Sequence, residues 1–121
     1  MEVMFRSSGT VLITLLRGDI DHHTASALRQ TIDQSMKEFG CRDLVMDFSG
    51  VTFMDSAGIG VVLGRYKKLT KSGGRICVCS CSPHVERLLE MAGVFSLVQQ
   101  ADSRMDAEQL LQGQLQMAGE V

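Results

Sequence analysis

Hydrophobic positions change their spacing several times along this chain, and each change marks a new predicted element. Short apolar runs at residues 4–6 and 11–16 flank a polar, glycine-containing segment, which predicts an opening β-hairpin. After Gly18 ends the second strand, apolar side chains recur every three or four residues from 24 to 39. That spacing predicts an amphipathic helix, which Gly40 ends.

The same alternation of strands and helices continues toward the C-terminus. In order, the predicted elements are a strand at 44–48, a turn at Ser49-Gly50, an extended stretch at 51–54, a helix from Asp55 or Ser56 to 72–74, a strand over 75–81, a helix from Pro83 with Ser82 as its cap, a short strand over 95–98 and a last helix from 103. This order predicts an α/β fold in which a single domain over 1–121 has a mixed, mainly parallel sheet of four to five strands and about four helices. We expect residues 117–121 to form a frayed tail.

Composition narrows the classes of function. The 121 residues carry a formal net charge of −2, from 12 Lys and Arg against 14 Asp and Glu, and 45% are hydrophobic. A dedicated nucleic-acid binder would need a basic excess, and a disordered chain would be less hydrophobic. No apolar run approaches the ~20 residues of a membrane span, and the N-terminus lacks a signal-peptide pattern. We therefore expect a cytoplasmic protein whose cysteines are thiols.

The start of the second helix has the features of a functional site. It carries Asp55 and Ser56 where unpaired N–H groups and the helix dipole favour an anion. Gly58, Gly60 and Gly64 follow, although each glycine costs about 1 kcal/mol relative to alanine inside a helix. The glycines therefore predict that the sheet, a ligand or a partner protein approaches this backbone closely.

Several familiar motifs do not fit this segment. The glycine spacing is one residue too long for the dinucleotide fingerprint, no P-loop ending follows, and Met54 stands where a hydrolase nucleophile elbow needs glycine. A catalytic Ser56 with a histidine from residues 22–23 lacks an oxyanion-hole signature. A phospho-aspartate receiver centred on Asp47 lacks a lysine after the predicted last strand. Two interpretations stay open here: Asp55 as a plain N-cap, or a helix N-terminus that binds a nucleotide or another phospho-ligand.

Three other groups of residues have simpler interpretations. The acidic and histidine residues at 19–24 predict a polar, helix-capping loop, because adjacent histidines rarely bind one metal ion. Cys77, Cys79 and Cys81 alternate along one strand, which spreads the sulfurs about 6–7 Å apart on one face; that spacing favours small buried side chains over zinc or a disulfide. The cations within 65–75 predict a solvated face at the helix C-terminus. We predict no metal and no cofactor.

A longer motif resembles a known family. Residues 47–67 read DFSGVTFMDSAGIGVVLGRYK, which resembles the signature of the anti-sigma factor antagonists of the STAS domain family. With GDIDHHTA at 18–25, the resemblance narrows to the sporulation antagonists of that family. The predicted order of elements agrees with the STAS fold along nearly the whole chain. The resemblance implies a binding module rather than an enzyme.

The resemblance also implies partners and a mechanism. Unphosphorylated members bind an anti-sigma factor that is also a serine kinase, which releases the sigma factor; phosphorylation by that kinase inactivates them, and a PPM-type phosphatase restores them. The phospho-acceptor maps onto Ser56, and Ala57 stands where many members carry a second serine. Most methionines are expected to fill the core, and Met54, beside Asp55, is a candidate for an exposed apolar contact instead. The partner-binding residues implied in this way are Asp21, Met54, Asp55, Ser56, Ala57, Gly58 and Gly60. Phosphorylation would add about −1.5 to −2 charge on that face, which predicts a surface switch with little change of fold.

Overall fold

Five strands form one mixed sheet with helices on both faces. In chain order the elements are β1 (Glu2–Ser8), β2 (Val11–Ile20), α1 (Ala25–Phe39), β3 (Asp43–Met54), α2 (Ser56–Lys71), β4 (Ile76–Cys79), α3 (Pro83–Met91), a 3₁₀ helix (Val94–Ser96), β5 (Gln99–Ala101) and α4 (Arg104–Glu120). The structure, a computed structural model, describes residues 1–120, with side chains as far as residue 112. The sheet order follows the chain order, and only the β1–β2 pair is antiparallel. The predicted α/β fold is confirmed, while the side chains of the expected tail lie outside the described residues.

Each face of the sheet has its own core. Helices α1, α2 and α3 cover one face, where their apolar stripes pack on Leu12, Met46 and Val78 of the three central strands. Helix α4 covers the other face through Ala107 and Leu111. Burial on both faces explains why the central strands read as nearly continuous apolar runs. Within the described residues, no helix combines the length and the apolar composition needed to cross a membrane.

The predicted helix boundaries at Gly40, Ser82 and Ser103 are confirmed. Gly40 ends α1 in the left-handed conformation with φ 62°. The hydroxyl of Ser82 accepts a hydrogen bond from the N–H of Val85 at 3.3 Å, and that of Ser103 accepts one from Asp106 at 3.1 Å. Side-chain caps of this kind satisfy N–H groups that the first helical turn leaves free.

The turn predicted at Ser49-Gly50 does not occur, because strand β3 runs continuously through these residues. Two register shifts against β2, one before Gly50 and one between Val51 and Phe53, place two extra residues in β3. At Gly50 the two backbones approach so closely that a Cβ would lie 2.7 Å from the carbonyl oxygen of Leu16. The turn-like residues therefore mark bulges, which leave extra residues in one strand and increase its twist.

Strand β2 also runs further than predicted. It continues past Gly18, where the sequence pattern ends it, and reaches Ile20. Its last residues pair with the second half of β3, so that Ile20 lies opposite Met54. The expected polar connection before α1 is correspondingly shorter.

The last strand lies at Gln99–Ala101 rather than at 95–98. The N–H of Val98 donates to the carbonyl of Val94 at 2.9 Å, and the intervening residues form a helical turn. Val94 and Val98 are buried while Leu97 is exposed. This is a helical spacing, and a short unbroken apolar run does not distinguish it from a strand.

The cations within 65–75, at the end of α2 and just after it, do not all form the solvated face that was predicted. Arg65 is only 9% exposed, and its Nε lies 2.8 Å from Oδ1 of Asp33 on α1. Lys68 reaches the other oxygen of Asp33 at 3.2 Å. The guanidinium of Arg75 donates a hydrogen bond to the carbonyl of Leu111 at 2.8 Å. The expectation is wrong for Arg65, because a charge pair holds it between α1 and α2.

The three alternating cysteines do not share one face. Cys77 and Cys79 are buried beneath α4, as predicted. Strand β4 ends at Cys79, and Ser80 has a positive φ of 58°, so Cys81 packs against the core on the opposite face. Burial raises the pKa of Cys77 to about 11; burial and the carboxylate of Asp47 raise the pKa of Cys79 to about 12.

We predict that Cys77 and Cys79 resist alkylation by iodoacetamide at pH 8 in the folded protein. A thiol whose pKa is about 11 holds only about one thiolate in a thousand at that pH, and the thiolate is the reactive form. Mass spectrometry of tryptic peptides measures the labelling. Half-buried Cys41 serves as the internal reference and unfolding in urea as the positive control. Labelling of the buried pair as fast as Cys41 would contradict the prediction.

Candidate functional site

The ends of β2 and β3 lie side by side and lead into the two acidic residues singled out by the sequence. Because Ile20 pairs with Met54 in parallel register, Asp21 and Asp55 are the next residues of neighbouring strands. Paired strands lie about 4.8 Å apart. The N–H of Asp55 also donates to the carbonyl of Ile20 at 3.1 Å. The strand pairing itself therefore brings the two acidic residues together.

Asp55 caps helix α2 and leaves Ser56 exposed. Its Oδ1 accepts a hydrogen bond from the N–H of Ala57 at 2.8 Å, and its backbone is extended, as an N-cap residue requires. Ser56 is the first helical residue, and its side chain is exposed to solvent. The N-cap interpretation of Asp55 is confirmed, and it places a free hydroxyl at the positive end of the helix dipole.

Asp21 organises the loop that precedes α1. Its Oδ1 accepts hydrogen bonds from the N–H groups of His23 at 2.9 Å and Thr24 at 3.1 Å. Slight desolvation raises the pKa of Asp21, but these hydrogen bonds outweigh it, so the pKa lies below its ordinary value. A carboxylate held in this way stays ionised at neutral pH.

His22 connects the two acidic loops. Its Nδ1 lies 4.0 Å from Oδ2 of Asp55, and its ring packs on that of His23 with centroids 3.9 Å apart. When protonated, His22 forms an ion pair with Asp55. Among the described residues, no group of three His, Cys, Asp or Glu side chains is arranged to hold a metal ion.

Met54 and Gly58 lie beneath the surface, which corrects their expected role as surface contacts. Met54 is only 1% exposed, and Gly58 is buried above it. A Cβ on Gly58 would collide with the side chain of Met54 and lie 3.3 Å from Cγ2 of Ile20. Gly58 therefore allows α2 to approach the sheet. Gly60, in contrast, is exposed, and a Cβ there would meet nothing within 4 Å.

Two residues that the sequence did not single out border the site. Phe53 is 47% exposed and stacks on the ring of His84, with centroids 6.1 Å apart. His84 Nε2 lies 3.2 Å from the carbonyl oxygen of Met54. The exposed apolar side chain expected at Met54 thus occurs one residue earlier, in the strand segment that follows the second bulge. The residues that reach the surface here form what we call the strand-end surface: Asp21, Phe53, Asp55, Ser56, Ala57 and Gly60.

Comparison with known proteins identifies the family. Residues 2–107 match the family model of the STAS domain. The chain belongs to the STAS domain family. An anti-sigma F factor antagonist from Paenibacillus polymyxa is 40% identical to it over 97 residues, which cover 80% of this chain and 83% of that protein. The family that the sequence motif resembles is confirmed.

Solved structures agree with this STAS domain along most of its length. The structure of the anti-sigma factor antagonist SpoIIAA in its unphosphorylated form is similar with a TM-score of 0.79 and 25% identity, covering 93% of this chain and 97% of that one. The phosphorylated form of SpoIIAA, a Bacillus cell fate determinant, has a TM-score of 0.70 at 23% identity, covering 90% and 99%. The resemblance to stage II sporulation protein AA, the sporulation member of the family, is thereby supported by structure as well as by motif.

We predict different effects of alanine at the two glycines of the STAS motif. Gly60→Ala gains about 0.8–1 kcal/mol of helix propensity in open space. Gly58→Ala gains the same propensity but crowds Met54, and overpacking of a core costs about 1–3 kcal/mol. The free energy of unfolding measured in urea should therefore be about 1–3 kcal/mol lower for Gly58→Ala than for Gly60→Ala. Equal stabilities of the two variants would contradict the close packing of α2 on the sheet.

We also predict a pH-dependent contribution from Asp21. Because its folded pKa lies below the ordinary value of 3.8, the ionised group stabilises the fold at higher pH, and this contribution is lost as the pH falls through the folded pKa. Asp21→Ala should lower Tm at pH 7, with a difference from wild type that shrinks below about pH 3.8. Asp21→Asn is the matched control, since it retains an acceptor oxygen without the charge. A difference that does not change with pH would refute the assignment.

Proposed function

We propose that this STAS domain is an anti-sigma factor antagonist whose binding is switched off by phosphorylation of Ser56. It acts as a cytoplasmic binding module rather than as an enzyme. The observation that carries the proposal is the exposed hydroxyl of Ser56 at the start of α2, beside the neighbouring strand ends that bear Asp21 and Asp55. The description of the Paenibacillus relative as an anti-sigma F factor antagonist supports it.

In the unphosphorylated state, the strand-end surface binds an anti-sigma factor that is also a serine kinase. Gly60 and the small side chain of Ala57 leave the first turns of α2 without bulk, so a partner backbone can come close. Phe53 adds an exposed apolar contact, and the carboxylates of Asp21 and Asp55 offer hydrogen-bond acceptors to the partner. Binding releases the sigma factor from the anti-sigma factor.

Phosphorylation opposes this binding by charge and by bulk. A phosphate on Ser56 adds about −1.5 to −2 charge, next to the carboxylate that caps the same helix. Two unit charges 4 Å apart repel by about 1 kcal/mol in water and about 4 kcal/mol at the dielectric typical of a protein surface. Repulsion of this size between the phosphate and an acidic group of the partner lowers the affinity by about fivefold to about a thousandfold. A PPM-type phosphatase removes the phosphate and restores binding.

The alternative functions considered from the sequence fit the geometry less well. A nucleotide or phospho-ligand at the N-terminus of α2 would meet the carboxylate of Asp55, which already accepts from the N–H of Ala57. A phospho-aspartate receiver needs an exposed aspartate at a strand end, whereas Asp47 is 4% exposed and lies within β3. A hydrolase dyad needs a histidine on Ser56, whereas the nearby His22 faces Asp55.

We predict that Ser56→Asp weakens binding to the anti-sigma factor by about fivefold to a thousandfold, since it places one added negative charge where the start of α2 contacts the partner. Ser56→Ala should retain wild-type affinity and stay bound when ATP is added. Calorimetric titration measures both. Gln30→Glu, which adds the same charge at an exposed position of α1, should bind like wild type. If Ser56→Asp and Gln30→Glu bind alike, charge at the helix start is not the switch.

Incubation with the kinase and ATP, followed by peptide mass spectrometry, locates the modification. We expect one phosphate, on Ser56. A phosphate on another residue, or none, would overturn the proposed switch.

A further inference from the structure

A second feature of the structure lies at the other end of α2. The C-terminal halves of α1 and α2 enclose a cavity of about 400 Å³ together with the segment that leads into β3. Met36, Leu44 and Leu69 provide apolar lining, and Lys37, Arg65 and Lys68 contribute cationic side chains. Cavities of about 300–1,000 Å³ are typical of small-molecule sites.

Arg65 is the most unusual group of this cavity. The residue is 9% exposed, and its Nε lies 2.8 Å from Oδ1 of Asp33. Its Nη1 is buried and has no hydrogen-bond partner among the described residues. A buried donor without an acceptor costs free energy, more so when it belongs to a charged group. Arg65 thus has bonding capacity that its own fold leaves unused.

The charge around the cavity is unbalanced. Asp33 is the carboxylate in its lining, and it contacts both Arg65 and Lys68. Lys37 adds a further cation, whereas Arg42 lies 3.7 Å from the buried carboxylate of Asp43. Leaving that pair aside, three cations face one carboxylate in a protein whose overall net charge is −2. Such a local excess of positive charge favours an anion.

We propose that this cavity binds a small amphiphilic anion, in which a carboxylate or phosphate group contacts Arg65 and Lys68 and an apolar body packs on Met36, Leu44 and Leu69. The anion supplies acceptors to an under-bonded guanidinium, whose fork of N–H donors matches pairs of carboxylate or phosphate oxygens. The apolar lining favours a ligand with a hydrocarbon part over inorganic phosphate. The proposal does not depend on the antagonist function.

The cavity is separate from the strand-end surface. Ser56 and Arg65 lie nine positions apart on α2, which corresponds to about 14 Å along the helix axis. Ligand binding here therefore leaves Ser56 free, and the two sites can be tested independently.

Titration of the ¹⁵N-labelled full chain with octanoate, octyl phosphate and octanol tests the proposal. We expect both anions to shift the amide resonances of Cys41, Lys68 and Ser72, and octanol to bind at least about tenfold more weakly, as the loss of a charge-assisted contact implies. The anion that binds more tightly identifies the headgroup that the cavity prefers. Shifts confined to residues 55–60, or octanol as tight as octanoate, would overturn the proposal. Inorganic phosphate binding as tightly as octyl phosphate would overturn it as well.

A matched pair of lysine variants tests the charge itself. Lys68→Gln should weaken octanoate binding about three- to fivefold, because it removes one partly exposed cation from the cavity. Lys71→Gln removes an exposed cation of the same helix that does not line the cavity, and it should bind like wild type. Lys68 is preferred to Arg65 because loss of a buried guanidinium also disturbs its ion pair with Asp33. Equal affinities of the two variants would contradict the proposal.

Discussion

The parallel pairing of β2 with β3 is the constraint on which the site depends, because it runs from Val11 opposite Asp43 to Ile20 opposite Met54. Parallel strands end at the same edge of a sheet, so the residues that follow them are neighbours whatever their separation in sequence. Asp21 and Asp55 become adjacent for this reason. Two bulges in β3 are part of the arrangement, since they let the longer strand end level with its partner.

Helix α2 then carries two different chemical environments at its two ends. At its start, Asp55 caps the helix and Ser56 lies exposed in a surface rich in carboxylates. Toward its end, Arg65 is held against Asp33 of α1 by a short ion pair. The small net charge of −2 is thus distributed unevenly, since the surroundings of α2 are acidic at its start and basic toward its end. Both ends are favourable for the helix dipole, because acidic groups lie near the N-terminus of α2 and basic groups lie near its C-terminus.

Sequence reasoning succeeded where one local rule decides the outcome. The stop at Gly40 and the caps at Ser82 and Ser103 each depend on a few adjacent residues, and each is confirmed. Sequence reasoning failed where pairing between distant segments of the chain determines the structure. The polar residues Ser49-Gly50 look like a turn until β2 is known to pair across them. A second bulge, between Val51 and Phe53, precedes the exposed Phe53 and the buried Met54. No local pattern could reveal that Arg65 reaches Asp33 on another helix.

The pairing of β2 with β3 also explains why the proposed switch needs no change of fold. The hydroxyl of Ser56 points to solvent, while the residues that fix its position lie beneath it: Met54 fills the space under Gly58, and Asp55 is anchored to Ile20 by its own N–H. A phosphate on Ser56 would displace none of these contacts. Its charge would be felt by a partner that approaches the strand-end surface, and much less by the core below, because the helix N-terminus accommodates an anion. The domain can therefore remain rigid while the proposed switch changes its binding.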